Sequence, residues 1–239
     1  MKKTKLVLLL IGVVLAIALI LGGVYIFGFY LPKKKEQAEF HRLMQEYYDQ
    51  KLVLYEAENQ TYADYEVDVA FIGDSLTDGY DVAQYYPQYT VVNRGIGGDT
   101  THGVEERLQV SLYDLKPKVV VMLIGANNMS TMFENYERIL LGLKDNLPNT
   151  KVILVSLTAM GGSWGHNNQL ATYNNVTIKK LAAKYGFTFI DLFTPLFDET
   201  TGEIYASYTT DGGHLTAEGY DVFTATVAPV IQQLLEEQQ

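Results

Sequence analysis

The chain has 239 residues, enough for one domain with a substantial core, and 48% of them are hydrophobic against 19% charged. There is no cysteine, which excludes disulfides, thiolate metal sites and a cysteine nucleophile. The first 35 residues hold six lysines and no acid, so the remainder carries 12 basic against 28 acidic residues, a net charge of −16 that suits neither nucleic acid nor anionic lipid headgroups.

Residues 6–31 form an uncharged, largely apolar run of 26 residues between lysine clusters at 2–5 and 33–35. About 20 such residues span a bilayer as a helix. A cleaved signal peptide is the competing reading, with Ala16-Ile17-Ala18 as its small-x-small site, but the apolar run continues well past it. Tyr25 and Tyr30 suit an interfacial belt. The segment 1–35 is therefore read as an uncleaved transmembrane anchor, with the domain exported at the cell membrane. Lysines on both sides give the positive-inside rule little to discriminate.

Residues 36–65 read as an amphipathic helix, a stalk or a packing helix, with Phe40, Met44, Tyr47 and Tyr55 near helical spacing. From 66 to 239 short β-branched runs alternate with helical patterns. The runs are 67–73, 89–96, 118–125, 151–157 and 187–193; the helices fall near 101–113, 133–146, 167–185 and 216–236. Continuous Val/Ile runs indicate strands buried on both faces, and the alternation predicts a five-stranded parallel sheet covered by helices. The last four residues are expected to fray.

Ligands of open parallel sheets bind beyond the strands' carboxyl ends. The first strand ends there in Gly73-Asp74-Ser75, the second in Gly97-Gly98-Asp99-Thr100, and the third in Gly125-Ala126-Asn127-Asn128. The fourth opens into "TAMGGSWGHNN" at 158–168, and "YTTDGGHLTAEGY" at 208–220 brings Asp211 and His214 before the last helix. These are the parts of nucleophilic acyl transfer. Ser75 is the candidate nucleophile, His214 its base, and Asp211 the acceptor that fixes the imidazole tautomer. The Ser75 N–H, the Gly98 N–H and the Asn127 amide are candidate donors to an oxyanion. Asp74, Trp164 and His166 are candidate pocket residues. The carboxylates and histidines have no metal-ligand spacing, and neither a metal nor a cofactor is expected.

These blocks, in this order, resemble the SGNH (GDSL) hydrolase superfamily of lipases and acylhydrolases. The resemblance covers about residues 66–235. It implies a flavodoxin-like three-layer α/β/α fold and metal-free hydrolysis of esters or thioesters. It carries the nucleophile to Ser75, the triad partners to Asp211 and His214, and the oxyanion hole to Gly98 and Asn127. One departure is visible: the family's third block usually continues with aspartate, and here Asn128 follows Asn127. The α/β-hydrolase elbow G-x-S-x-G does not fit, because residue 77 is Thr77. Two further readings stay open at this point: a non-catalytic glycan-binding module on the same fold, and an acyltransferase using the same triad. The acyl and alcohol parts of the ester substrate, and the oligomeric state, are not legible.

Overall fold

The computed structural model describes residues 2–237, with the side chains of some residues before 21 left outside the description. Of the tail expected to fray, residues 238 and 239 also lie outside the described residues. The chain divides into two compact units, Met1–Gln50 and Lys51–Gln239.

The first unit begins with helix α1 (Lys2–Tyr25), followed by a π-helical segment at Ile26–Tyr30 and the start of α2 (Leu31–Asn59). Among the described residues no helix is long and apolar enough to cross a membrane. This corrects the transmembrane helix expected before the domain: none is found among the described residues, and within the apolar run the α-helix gives way to a π-helical segment at Ile26–Tyr30.

The second unit takes in the last turns of α2, so residues 51–59 belong to the domain, which thus begins before residue 66. Tyr55 is the reason. It is 1% exposed, and its hydroxyl donates to the Gly95 carbonyl at 2.6 Å. Glu58 pairs with the buried Arg94 guanidinium, which also donates to Asn59 Oδ1 at 3.0 Å and lies over the Tyr55 ring.

Five parallel strands follow: β1 (Val69–Gly73), β2 (Val91–Gly95), β3 (Val119–Leu123), β4 (Lys151–Val155) and β5 (Thr188–Ile190). Their order across the sheet is β2-β1-β3-β4-β5, the flavodoxin-like arrangement. Register runs Gly73 opposite Gly95 on one side and Leu123 on the other, so β2, β1 and β3 end level.

Alternate strand residues face opposite ways, and each face has its own core. Ala70, Ile72, Val120, Met122, Val152 and Leu154 face one cluster. It is completed by α5 (Thr101–Glu106), α6 (Phe133–Asn146) and α7 (Asn168–Tyr185), through residues such as Val104, Ile139, Leu143 and Ile178. Val69, Phe71, Val121, Leu123, Ile153 and Val155 face the other, against Phe223, Val227 and Ile231 of the last helix, Ala217–Glu236. Each Val, Leu, Ile, Met or Phe side chain among these, fully buried, contributes about 1.5–3 kcal/mol. The result is the expected three-layer α/β/α sandwich.

Shorter elements escape sequence periodicity. Ser75–Asp78 (α3) and Val82–Tyr85 (α4) are single helical turns, Phe193–Leu196 is another, and Phe197–Asp198 pairs antiparallel with Glu203–Ile204. The helix expected at 101–113 is α-helical only to Glu106 and becomes π-helical at Gln109–Tyr113.

Candidate active site

Gly73 ends β1 at a place where a Cβ would collide with the Leu123 carbonyl oxygen and the Thr77 hydroxyl. The bare backbone lets the chain turn sharply into α3. Asp74 caps that turn, its Oδ1 accepting from the Leu76 N–H at 3.1 Å. Ser75 is the first residue of the helix, so its N–H has no acceptor within it. Tyr220, on the last helix, holds the turn from the other side by donating to the Leu76 carbonyl at 2.9 Å.

Two residues 139 positions apart meet here: His214 Nε2 lies 3.0 Å from Ser75 Oγ. His214 Nδ1 lies 2.7 Å from Asp211 Oδ2. The other carboxylate oxygen accepts from the N–H groups of Gly213 and His214, at 2.9 and 2.8 Å. Those backbone donors, then the imidazole, hold the Asp211 carboxyl down at about 2. An ionised carboxylate only accepts, so Nδ1 carries the proton and the Nε2 lone pair is left to receive the Ser75 hydroxyl hydrogen.

Asn127 sits in a 3-10 turn (Ala126–Asn128) directly beyond β3. One of its amide hydrogens is committed to the Asp99 carbonyl at 2.8 Å, which fixes the plane of the amide. Gly98 lies in the turn Ile96–Asp99, closed by the Asp99 N–H on the Ile96 carbonyl at 3.1 Å. Its φ of 79° is left-handed, where glycine is favoured. Asn128 explains the departure from the usual aspartate. Thr101 Oγ1 donates to the Met132 carbonyl at 3.0 Å, so it must accept here, and Asn128 Nδ2 donates to it at 2.9 Å. Asn128 Oδ1 accepts the Thr101 N–H at 3.3 Å. An amide supplies both this donor and this acceptor, whereas an ionised aspartate would only accept.

Beside Ser75 lies a cavity of about 50 Å³, bounded by Leu76, Ala126, Thr158, Met160, Trp164 and His214 among others. Asp74 borders it but is 1% exposed, with Oδ2 lacking a hydrogen-bond partner in the protein. Burial pushes its carboxyl up to about 7. Trp164 stands against Gly213 at the rim. His166 does not line the cavity, which corrects its assignment to the pocket: the 3-10 segment Gly162–Asn167 turns it outward to solvent. Thr158 and Met160 are pocket residues that motif reading missed. Asn168 clamps Met160 through both its amide atoms, each at 2.8 Å, and the Gly161 N–H donates to the Gly212 carbonyl at 2.8 Å. Their position just past the end of β4 was the available signal. Among the described residues no group of three or more His, Asp or Glu is arranged to hold a metal ion.

A flavodoxin-like sheet with a serine, an imidazole and a carboxylate in line at its carboxyl edge carries the side chains that serine-dependent acyl hydrolysis uses. Residues 71–222 match the model of the GDSL-like lipase/acylhydrolase family, and the chain belongs to that family. It is 31% identical over 183 residues to the platelet-activating factor acetylhydrolase IB subunit alpha2 of Rattus norvegicus, covering 73% of this chain and 80% of that protein. Among solved structures it resembles a GDSL-like lipase from Bacteroides thetaiotaomicron at 25% identity and a TM-score of 0.67, covering 76% of this chain and 97% of the other. A Streptococcus pneumoniae structure described as a platelet activating factor shares the fold, with a TM-score of 0.76 at 24% identity over 83% of this chain and 99% of that one.

Proposed function

We propose that the chain is a serine esterase that cleaves short-chain carboxylic esters through Ser75, His214 and Asp211. Ser75 Oγ attacks the acyl carbonyl as its proton passes to His214 Nε2. The oxyanion is received by the N–H groups of Ser75 and Gly98 and by the free hydrogen of the Asn127 amide. Collapse expels the alcohol, which takes the proton from the imidazolium. Water then attacks the acyl-serine, gives a proton to His214, and the carboxylic acid leaves with Ser75 restored.

The observation that carries this reading is the unbroken relay from Asp211 through His214 to Ser75, at 2.7 and 3.0 Å. The preference for a short acyl group is supported by the small cavity walled by Leu76, Met160 and Trp164. A relative named as an acetylhydrolase points the same way. Ser75→Ala should abolish release of p-nitrophenol from p-nitrophenyl acetate and labelling by a fluorophosphonate, with the fold retained; full activity in that variant overturns the assignment. A panel of acyl lengths should show turnover falling from acetyl to octanoyl, and a flat or rising series would remove the short-chain preference. A membrane location rests on the sequence of residues 1–35 alone. It is tested by fractionating cells that express the full chain, and recovery in the soluble fraction counts against it.

A further inference from the structure

We propose that Arg107 is a positioning residue for turnover: it fixes the oxyanion-receiving side of the site, through Asp99 and Asn127, without touching substrate. The inference rests on the serine-esterase reading above and adds a residue that none of the four sequence blocks contains.

Arg107 follows the last residue of α5 and is 1% exposed. Its guanidinium reaches four segments at once. Nη2 donates at 3.0 Å to the carbonyl of Gly73, the residue before Asp74-Ser75. Nη1 donates at 2.8 Å to the Arg94 carbonyl on β2 and at 2.9 Å to Ser111 Oγ. Nε donates at 2.8 Å to Asp99 Oδ2, in the turn that carries Gly98. The backbone carbonyl of that same Asp99 accepts the Asn127 amide hydrogen at 2.8 Å. The Asp99 carboxylate also caps the Thr100 N–H at 2.8 Å, so the residue is held from both ends.

The nucleophile strand, the Gly98 turn and the Asn127 amide are thus referred to one rigid planar group. No other side chain among the described residues donates to both the Gly73 carbonyl and Asp99. The fork is what matters. A lysine would keep the positive charge beside Asp99 but offers no planar set of donors to span Gly73, Arg94 and Asp99 together. With the fork gone, Asp99 is free to shift, and the Asn127 amide and Gly98 shift with it. A displacement of about 1 Å at such donors costs about 10²-fold in rate. Because these groups act on the developing oxyanion, the loss falls on kcat and not on KM.

The test is Arg107→Lys, with Asp99→Asn as a second, isosteric variant that weakens the same link from the other side. Both are read for kcat and KM on p-nitrophenyl acetate, in the native background and with Asn127→Ala. Near-ultraviolet circular dichroism confirms packing. The expected result is a fall in kcat of about 10²-fold with KM held within about twofold, shrinking to about threefold when Asn127 is already alanine, because the two act as one unit. An equal fall in both backgrounds, a loss confined to KM, or native kcat in a folded variant overturns the proposal. If the native chain shows no Ser75-dependent turnover, it is the esterase reading that fails; if turnover depends on Ser75 but not on Arg107 or Asp99, only this inference fails.

Discussion

Asp211→Asn is the most informative single substitution. The asparagine Oδ1 can keep the two backbone hydrogen bonds from Gly213 and His214, now at 2.9 and 2.8 Å, so the loop geometry survives. The atom facing His214 Nδ1 becomes an NH₂ group, which cannot accept the ring hydrogen that Oδ2 now takes at 2.7 Å. The imidazole then turns to the tautomer with its proton on Nε2, and that nitrogen donates to Ser75 Oγ when it should accept from it. Where the corresponding carboxylate is fully buried, this change costs about 10⁴ in kcat. Here the Asp211 side chain is 48% exposed, so solvent weakens its attraction for the imidazolium and water can compete for Nδ1. The loss is accordingly smaller, about 10²–10³ in kcat, or roughly 3–4 kcal/mol of transition-state stabilisation. The assay is steady-state hydrolysis of p-nitrophenyl acetate near neutral pH, with KM expected to stay close to native. A folded variant retaining kcat within about threefold of native would refute the tautomer argument.

Two further outcomes follow from the same geometry. The Asp74 carboxyl holds its proton to about pH 7 in the folded chain, whereas an exposed aspartate loses it near 3.9. The folded state therefore binds more protons across that window, so this contribution to stability is complete below about pH 4 and is lost as pH rises towards 7, by a few kcal/mol. Asp74→Asn, which keeps an acceptor for the Leu76 N–H, should flatten the dependence of Tm on pH over this range; parallel native and variant curves would show that Asp74 does not titrate there. Asn128→Asp restores the usual family residue but removes the donor to Thr101 Oγ1, whose own hydrogen is engaged by Met132. It should cost about 1 kcal/mol, seen as a lower Tm, and an unchanged or raised Tm contradicts the assigned donor directions.

The sequence by itself determined the parallel sheet, its five strands to within a few residues, and the residues that meet in the relay. Continuous apolar runs and short motifs are local signals. A strand ending in Gly73-Asp74-Ser75 can only deliver its serine to the carboxyl edge, and Asp211 precedes His214 closely enough to share one turn. Other features depended on the packed chain. The end of α2 joins the domain because Tyr55 finds the Gly95 carbonyl 40 residues away, a match that no helical period encodes. Thr158 and Met160 wall the cavity, and His166 does not, because Asn168 and Gly212 fix the path of a loop whose composition is only that of a turn. Arg107 lay outside every motif. Its importance comes from four backbone and side-chain acceptors on separate segments converging on one guanidinium, and such convergence exists only once the sheet and its helices have closed around it.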